Sequence, residues 1–372
     1  MVLAIDARMK HGVGTVLRNI VPLVAREVGT LKLLGEPEVL EAWVTAMPSV
    51  EIIPFTARLY SFREQAQYPV RHVENCDLLH VPHFNIPFRR LKCPIVVTIN
   101  DTAHLAGVLP MNAVQKAYAQ WYYSLAVRRA CHIITLSEFS RNEIVTRLDV
   151  PPDRISVVPC GVDRKLFRPV DRTIFERVAR DRGVREPFLL VAGSVRPHKN
   201  VAGVLKAFSL LKRENRIPHQ LVVTGQREGF RLNQSLPQLD PHAQRDVVFT
   251  GFINDDDLVA LYSFTDVFVF ASVYEGFGLP PLEAMACGAP VAVSRCASLP
   301  EVIGEAGIYF DPYSVEDIAK AVHSLLADTR KRDAMVEKSG AQLQKYRWED
   351  AAKKYLEVYH RAARREAARV VD

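Results

Sequence analysis

The sequence predicts an α/β protein with two doubly wound parallel sheets. Short, continuous apolar runs alternate with helical stretches, which is typical of parallel strands that are buried on both faces. The runs form two series, and a charged, non-periodic stretch at 164–186 separates them. At 372 residues the chain is also longer than one ordinary domain. We therefore predict domains at 1–165 and 166–348, followed by a helical segment at 349–372 that packs back on the first domain.

The first series begins with a strand at 2–6, a turn that contains Gly12 and Gly14, and a helix at about 16–28. Such a turn exposes backbone N–H groups that can bind an anion, but a tight turn without a ligand explains G-V-G equally well. A less regular region with Pro54 and Pro69 follows. The remaining elements of this series are strands at 78–87, 94–101, 132–137 and 155–163, and helices at about 112–130 and from Glu138, the latter capped by Ser137.

The second series alternates more regularly. Its predicted strands lie at 188–194, 220–226, 247–252, 266–271, 290–294 and 308–311, and helices are expected at about 203–211, 256–264 and from Trp348 onward. Because open α/β sheets bind ligands at the carboxyl ends of their strands, the loops that follow these runs are where a site is expected.

The most informative loop lies at 272–288, S-V-Y-E-G-F-G-L-P-P-L-E-A-M-A-C-G, directly after an apolar strand. Its glycines break the apolar pattern, and Pro280 and Pro281 open a short helix. The backbone N–H groups of this turn are expected to seat a phosphate or sugar oxygen. Glu275 precedes the turn and Glu283 is expected in the first helical turn, so two carboxylates would bracket the seat and accept hydrogen bonds from sugar hydroxyls.

These residues resemble the E-x7-E signature of retaining family-four glycosyltransferases with the GT-B fold. The resemblance implies two Rossmann-like domains that face each other across a cleft, with Glu275 beside the donor sugar and Glu283 on the nucleotide ribose. The resemblance covers nearly the whole chain, including Y-S-F-R-E-Q-A-Q-Y-P in the first domain. The amides expected to hold the donor diphosphate belong to Gly276, Phe277, Gly278 and Leu279.

A basic loop follows the strand at 188–194 and reads V-R-P-H-K-N. Arg196 and Lys199 are predicted to bind the diphosphate and to offset the charge that develops as it leaves. Similar family members often show G-x-x-x-P-R-K-N here, so Lys199 matches the lysine and His198 replaces the arginine. In isolation, these residues also fit a basic loop in solvent.

The turn T-G-F at 250–252 resembles the family's base-binding turn, which would place the backbone of Phe252 against the nucleobase edge. Recognition by backbone groups carries no side-chain code, so the base stays undetermined. The acidic run at 255–257 opens a helix and is predicted to cap it.

In the first domain, H-V-P-H-F-N-I-P and T-I-N-D-T-A-H follow predicted strands. We predict catalytic roles for His83 and Asp101, and Asn85 and His104 lie in the same loops. The family often shows T-x-H-D here, but Asn100 occupies the histidine position. The role of that imidazole is therefore not carried over unless His104 substitutes for it, and a structural histidine is the alternative.

Composition narrows the partners. The net charge of +6 is scattered, which suits a phosphate-bearing substrate or contact with anionic lipid but is too weak to predict nucleic-acid binding. The six cysteines form no C-x-x-C pair, and no 18-residue apolar span or signal peptide is evident, so we expect a cytoplasmic protein, peripheral at most to the inner face of the membrane. No zinc spacing or strand-end D-x-D motif occurs, and we expect neither a metal nor another cofactor.

The resemblance is to bacterial mannosyltransferase-like enzymes of polysaccharide biosynthesis. It implies retaining transfer of a hexose, with mannose as the first choice, from GDP-mannose or a UDP-hexose to a glycan or lipid-linked saccharide. Because no protein nucleophile is evident, a front-face route is favoured over a covalent intermediate. Domain closure about 163–186 would exclude water.

Other functions remain open at this point. A GT-B epimerase would share the cleft, and so would a phosphorylase, although a pyridoxal-phosphate lysine motif is not evident. A dinucleotide-dependent oxidoreductase would need a full G-x-G-x-x-G, of which Gly12–Val13–Gly14 is a fragment. A non-catalytic sugar-nucleotide sensor is a further alternative. The acceptor, the linkage and the oligomeric state are not predicted.

Overall fold

The structure is a computed structural model that describes residues 1–9, 12–45, 47–193, 195–214, 216–225, 237 and 239–371, with side chains as far as residue 364. The chain divides into two compact units. The first contains Met1–Gly161 together with Arg347–Asp372, and the second contains Val162–Tyr346.

The first unit is built on a parallel sheet, which has seven strands in the described part of the chain. The strands are β1 Val2–Asp6, β2 Thr30–Gly35, β3 Val50–Pro54, β4 Leu78–Val81, β5 Ile95–Thr98, β6 His132–Thr135 and β7 Ile155–Val157, in the order β3-β2-β1-β4-β5-β6-β7. The helices are α1 Val13–Ala25, α2 Pro37–Glu41, α3 Phe62–Ala66, α4 Val70–Val73, α5 Ala113–Arg129 and α6 Glu138–Leu148, and the C-terminal helix of the chain, Trp348–Val371, also belongs to this unit.

The C-terminal helix is held to this sheet by a buried hydrogen-bond chain. The hydroxyl of Tyr359 contacts Nδ1 of His80 at 2.9 Å, and Nε2 of the same ring contacts the Thr98 hydroxyl at 2.8 Å. His80 and Tyr359 are fully buried. Because a buried polar group needs a partner, this chain fixes the helix against β4 and β5.

The second unit has the same Rossmann-like architecture. Its described strands are β8 Phe188–Val191, β9 Gln220–Val223, β10 Val247–Phe249, β11 Val267–Phe270, β12 Val291–Ser294 and β13 Ile308–Phe310, all parallel, in the order β10-β9-β8-β11-β12-β13. Its described helices are α7 Arg172–Arg182, α8 Val201–Arg213, α9 Pro241–Arg245, α10 Asp255–Phe264, α11 Leu279–Ala286, α12 Leu299–Ile303, α13 Val315–Ala327 and α14 Thr329–Leu343.

The stretch at 164–186, which is charged and non-periodic in the sequence, contains a helix that was not predicted. Helix α7 occupies Arg172–Arg182, and Phe175 and Val178 on its inner face are buried. On the same helix Arg177 and Arg182 donate to the buried carboxylate of Asp257, at 2.9 and 3.3 Å. The sequence does not reveal this narrow apolar face, because its few apolar residues lie among many charged ones. Some of these charged residues are arginines that pair with a carboxylate far along the chain.

Smaller differences concern the ends of elements. The less regular region contains β2 and β3, helix α1 begins at Val13, and β4 ends at Val81 although the apolar run continues. Ser137 caps α6 as predicted, accepting from Ser140 N at 3.1 Å. The acidic run at 255–257 does not cap α10, because the side chain of Asn254 accepts from Asp257 N at 2.8 Å.

Candidate functional site

Two neighbouring strands of the second sheet bring a lysine and a glutamate together at their carboxyl ends. Strand β8 pairs with β11, and the loops that follow them carry Lys199 and Glu275. The Lys199 ammonium donates to Glu275 Oε1 at 2.6 Å, and the side chains are only 19% and 14% exposed. The ammonium also lies 5.1 Å from the ring centroid of Phe270. Because both side chains are mostly buried, water screens this ion pair weakly. The attraction therefore holds the two groups in a defined orientation.

The loop after β8 is fixed by its own backbone and by Asn200. The peptide N–H of Val273 donates to His198 O at 2.8 Å, which joins this loop to the one after β11. Asn200 is in the left-handed region at φ 50°, its Oδ1 accepts from Gly203 N, and its Nδ2 donates to Pro312 O at 2.7 Å. Lys199 is therefore presented by a backbone with little freedom.

The other two basic residues of this loop differ from Lys199. Burial, followed by the charge of Lys199, lowers the pKa of His198, and its Nδ1 is buried without a hydrogen-bond partner among the described residues. A neutral ring does not replace the arginine of the family pattern as a cation. Arg196 has extended backbone just before the 3₁₀ turn Pro197–Lys199, and the structure pairs Lys199, not Arg196, with Glu275.

The turn at 275–279 is held by contacts from the next strand-end loop. Ser298 is fully buried and its hydroxyl lies 3.0 Å from Glu275 O and 2.8 Å from Phe277 O. Gly278 has φ 103°, and a Cβ there would lie 2.6 Å from Leu299 Cδ2, so both the conformation and the space require glycine. Helix α11 begins directly after it with no side-chain cap.

Two prolines restrict which amides this helix can offer. Pro280 and Pro281 carry no N–H, so the donors that precede the helix interior belong to the backbone at 276–279. Residues 276–278 are buried and Leu279 is partly exposed. The backbone N–H groups of the predicted phosphate seat therefore belong mainly to the glycine-containing turn. The first turn of the helix contributes few of them.

Glu283 lies deeper than expected. Because α11 begins at Leu279, Glu283 is its fifth residue, and no acidic residue occupies the first turn, so that part of the prediction is wrong. Glu283 is partly buried, and its charge, after burial, raises the pKa of Cys287 to about 12. It also adds to the raised pKa of the buried Tyr262, for which burial is again the larger cause. The contact of Glu283 with a ribose remains a prediction.

The T-G-F turn lies at the carboxyl end of β10. Thr250 N donates to Val223 O at 3.1 Å, and Gly251, at φ 72°, accepts from Gly225 N at 2.9 Å. Phe252 follows with a side chain that is 77% exposed.

In the first unit, Gly12 and Gly14 stand at the start of α1, after β1. Gly12 has φ 57° and caps the helix without a side chain, and a Cβ on Gly14 would lie 2.5 Å from Met9 O. The strand and the helix predicted here are present, and residues 10 and 11 of the turn between them lie outside the described residues. The two glycines allow a backbone approach that a larger residue would block.

His83 lies among aromatic rings after β4. Burial, and next the charge of His104, lower the pKa of His83 to about 3. Asn85 N donates to its Nδ1 at 3.3 Å, and the Tyr60 hydroxyl lies 3.1 Å from its Nε2. The ring is therefore neutral near pH 7 and acts as a hydrogen-bonding group.

Asp101 and His104 are linked through one tyrosine. The Tyr123 hydroxyl donates to Asp101 O at 3.2 Å and lies 3.4 Å from His104 Nδ1. The Asp101 carboxylate accepts from Ala103 N at 2.9 Å. The adjacent Asn100 is fixed through its carbonyl, which accepts from the Ser140 hydroxyl. The structure thus orders both predicted loops at the carboxyl edge of the first sheet.

Comparison with known proteins decides the family. The sequence model described as Glycosyltransferase Family 4 matches residues 11–166, and the one described as Glycosyl transferases group 1 matches residues 174–342. The chain is 32% identical over 288 residues to the O-antigen chain mannosyltransferase B of Escherichia coli, a match that spans 76% of this chain and 74% of the relative.

The chain belongs to glycosyltransferase family 4.

Two further likenesses agree with this assignment. The serotype-specific mannosyltransferase WbdA of Escherichia coli is 33% identical over 238 residues, which are 63% of this chain and 29% of that protein. The solved structure of Anabaena HepE in complex with UDP and glucose superposes with a TM-score of 0.73 at 16% identity, over 96% of this chain and 98% of the other. The latter likeness shows the GT-B fold alone. Family membership makes the chain a glycosyltransferase, the class of enzyme that both matching family models name.

Some residues that shape this glycosyltransferase were not predicted. Arg8 donates to the carboxylates of Asp6 at 2.6 Å and Glu64 at 2.7 Å, and Asn85 donates to Glu64 at 2.7 Å, all within the carboxyl edge of the first sheet. Burial alone would lower the pKa of Arg8, but its bonds to both carboxylates raise that pKa overall. The charged residues Asp6 and Arg8 at the end of the first strand were the available signal. The second carboxylate is far along the chain, which hid the cluster.

Two absences hold for the described part of this glycosyltransferase. No group of three or more histidine, cysteine, aspartate or glutamate side chains is arranged to hold a metal ion in the described ranges. Over the same residues, no helix combines the length and apolar character needed to cross a bilayer.

Proposed function

We propose that this glycosyltransferase transfers mannose, with retention of the anomeric configuration and without a metal ion, from GDP-mannose to a lipid-linked saccharide or glycan. UDP-hexoses are the second choice of donor. The observation that carries the proposal is the Lys199–Glu275 pair beside the glycine turn at 276–279. Support for mannose comes from relatives that are named mannosyltransferases. The alternatives of an epimerase, a phosphorylase, an oxidoreductase or a sensor find no support in these relatives.

In the proposed site, Lys199 changes its partner from Glu275 to the diphosphate when the donor binds. Glu275 neutralises Lys199 in the free enzyme. A diphosphate that enters would compete for the ammonium and leave Glu275 available to accept hydrogen bonds from the donor sugar. Lys199, Arg196 and the amides at 276–279 would then stabilise the charge on the departing diphosphate. Because the protein supplies these cations, the proposal needs no divalent ion.

The proposed reaction proceeds on one face of the sugar. The bond between the anomeric carbon and the diphosphate oxygen breaks, and the acceptor hydroxyl forms the new glycosidic bond on the same face. The acceptor proton passes to the departing phosphate oxygen, so no protein base is required. Glu275 orients the sugar hydroxyls, Glu283 binds the ribose, and the backbone of Phe252 binds the base.

The first unit is proposed to bind the acceptor. His83, neutral near pH 7, would donate a hydrogen bond to a hydroxyl of the acceptor saccharide or accept one from it. Asp101 would orient a second hydroxyl of the same saccharide. The turn at Gly12 and Gly14 would admit a phosphate or hydroxyl close to the backbone. A lipid carrier on the acceptor would bring the enzyme, as a cytoplasmic protein, to the inner face of the membrane.

A donor panel tests this proposal. The purified chain is incubated with GDP-mannose, UDP-glucose, UDP-galactose and ADP-glucose, with and without EDTA, and the released nucleotide is measured. Proton NMR of the product then reports the anomeric configuration. We expect GDP release that EDTA does not affect, retention, and a loss of about 10²-fold or more in Lys199→Ala. The exposed Lys206→Ala in the same unit is the matched control.

Four outcomes would each contradict a separate part of the proposal. An inverted product would reject the front-face route, and loss of activity in EDTA would reject metal independence. Equal activity of Lys199→Ala and Lys206→Ala would reject the site. Calorimetric titration with NAD(P) completes the test, because tight NAD(P) binding without donor binding would indicate an oxidoreductase.

A further inference from the structure

The first unit contains a large cavity on the edge of its sheet opposite to the predicted acceptor loops. It has a volume of about 1360 Å³ and lies at the amino ends of β4, β5 and β6. Residues 74–77, 89–95, 128–132, 153–154 and 360–364 form its walls, together with Met1. His83 and Asp101 follow the carboxyl ends of β4 and β5, so this cavity is separate from them.

Positive charge dominates the walls. Arginine and lysine outnumber aspartate and glutamate among the lining residues, and the acidic ones are Glu74, Asp77 and Asp153. The Asp77 carboxylate accepts from Val2 N at 2.7 Å, which uses part of its capacity within the fold. The basic lining residues are Arg89, Arg90, Lys92, Arg128, Arg129, Arg154, Arg361 and Arg364.

Three of these arginines build the walls. Arg129 donates to the carbonyls of Pro87 at 3.0 Å and Phe88 at 2.6 Å. Arg154 donates to two carbonyls at the end of α5 and just beyond it, at 2.8 and 2.6 Å. Arg361 donates to the Ser156 hydroxyl at 2.7 Å and so joins the C-terminal helix to β7. These hydrogen bonds hold Arg129, Arg154 and Arg361 in fixed positions in the cavity walls, beside the remaining cations.

Four of the remaining cations line the cavity at exposed positions. Arg89, Arg90, Lys92 and Arg128 are exposed, and none of them forms an ion pair with a carboxylate among the side chains that the structure describes. Burial, and next the charges of Arg90 and Arg128, lower the pKa of the Arg129 guanidinium. Like charges that line one cavity repel one another, and an anion bound between them would relieve that repulsion.

We propose that this basic cavity is a binding site for a phosphate-bearing anion other than the donor. A guanidinium group can donate two parallel hydrogen bonds to the oxygens of one phosphate. Several arginines from separate segments of the chain line this cavity. The volume exceeds what a single phosphate fills, so a diphosphate or a lipid headgroup fits the space. The chain segments that surround the cavity favour a compact ligand over a nucleic-acid duplex.

The phosphate has two candidate sources, a soluble oligophosphate and an anionic lipid headgroup. A cluster of exposed aromatic side chains adjoins the cavity, because Arg129 binds the carbonyl of Phe88, whose ring lies 5.3 Å from that of Trp121. Phe88, Tyr118 and Trp121 are 38%, 45% and 45% exposed. Aromatic rings beside basic residues are typical of surfaces that meet a membrane interface, so the test includes both sources.

Binding of inorganic pyrophosphate and of vesicles tests the proposal. The full chain carries Arg196→Ala and Lys199→Ala, so that the predicted donor site does not contribute. Arg89→Ala, Arg90→Ala, Lys92→Ala and Arg128→Ala are then combined in this background. The matched control removes the same charge from exposed positions elsewhere and combines Arg213→Ala, Lys320→Ala, Arg330→Ala and Lys354→Ala. Circular dichroism melting shows whether both variants fold.

We expect the cavity variant to weaken binding about tenfold or more, with the control unchanged. Pyrophosphate affinity is measured by calorimetry, and flotation compares phosphatidylglycerol with phosphatidylcholine vesicles. Loss of pyrophosphate binding alone supports a soluble ligand, and loss of phosphatidylglycerol binding supports a lipid headgroup. No binding in either arm, or equal binding by the cavity variant and the control, overturns the proposal. None of these readouts depends on the proposed transferase reaction.

Discussion

Ser298 reaches across from the loop after β12 and places its hydroxyl 3.0 Å from the backbone carbonyl of Glu275. The same hydroxyl lies 2.8 Å from Phe277 O, so one buried side chain bridges both ends of the E-G-F turn. A hydroxyl has one proton, and the two carbonyls share it. Ser298 therefore sets the position of the turn without a direct role in the chemistry.

We expect Ser298→Ala to reduce both stability and activity. The two carbonyls would lose their common donor in a buried place, which should lower the free energy of unfolding by about 1–3 kcal/mol. A displaced turn should lower kcat/KM by about tenfold or more. Urea unfolding and steady-state kinetics measure the two effects.

Ser294→Ala is the matched control for this prediction. Ser294 is as buried as Ser298 and lies at the end of β12, just before the loop that carries Ser298. Its hydroxyl donates to Phe270 O over a longer 3.4 Å. It should change kcat/KM by less than about twofold. Equal losses of activity in the two variants would contradict a positioning role for Ser298.

The Lys199–Glu275 pair predicts strong coupling between its members. Each of Lys199→Ala and Glu275→Gln should lower kcat/KM by about 10²-fold or more. The double variant should lose less than the product of the single losses, with a coupling energy of about 0.5–3 kcal/mol, because each single change leaves the other group partly buried without its partner. A double-mutant cycle in kcat/KM measures this coupling. Strictly additive losses would show that the two groups act independently in the reaction.

Gly278→Ala should destabilise the second unit. The residue has φ 103°, and the new methyl group would lie 2.6 Å from the Leu299 side chain. We expect a loss of at least about 1 kcal/mol in the free energy of unfolding. Gly340→Ala is the control, because Gly340 lies inside α14 with no heavy atom within 4 Å of an added Cβ. That change should stabilise by up to about 1 kcal/mol. The prediction fails if thermal melting shows the same shift for both variants.

Local sequence patterns predict most of the sheet strands, since β5, β6, β8 and β11 are short apolar runs that are buried throughout. They do not reveal α7, whose buried residues are sparse among charges. The site shows the same limit. The glycine turn and Lys199 are visible in local motifs, whereas Ser298 is 23 residues from its partner Glu275 and lies in a loop without a motif of its own. Contacts made between separate strand ends depend on the sheet order, which the chain order does not give.

A buried histidine predicts that the first unit loses stability in mild acid. Burial lowers the pKa of His80 from 6.5 to about 3. Between these values the unfolded chain binds a proton that the folded chain does not, so stability is complete above pH 6.5 and falls as the pH is lowered. From pH 7.5 to 5.5 this one residue should reduce the free energy of unfolding by about 1.4 kcal/mol.

His80→Gln should remove that share of the pH dependence, because the unfolded chain no longer takes up this proton. Thr98→Val is the control: it removes the hydroxyl that contacts His80 Nε2 at 2.8 Å but keeps the buried ring. It should therefore lower stability by a similar amount at both pH values. Urea unfolding of the three chains at pH 7.5 and 5.5 measures the difference. If His80→Gln retained the full pH dependence, protonation of other groups would have to explain it, and the buried network between β4, β5 and the C-terminal helix would not be acid-sensitive.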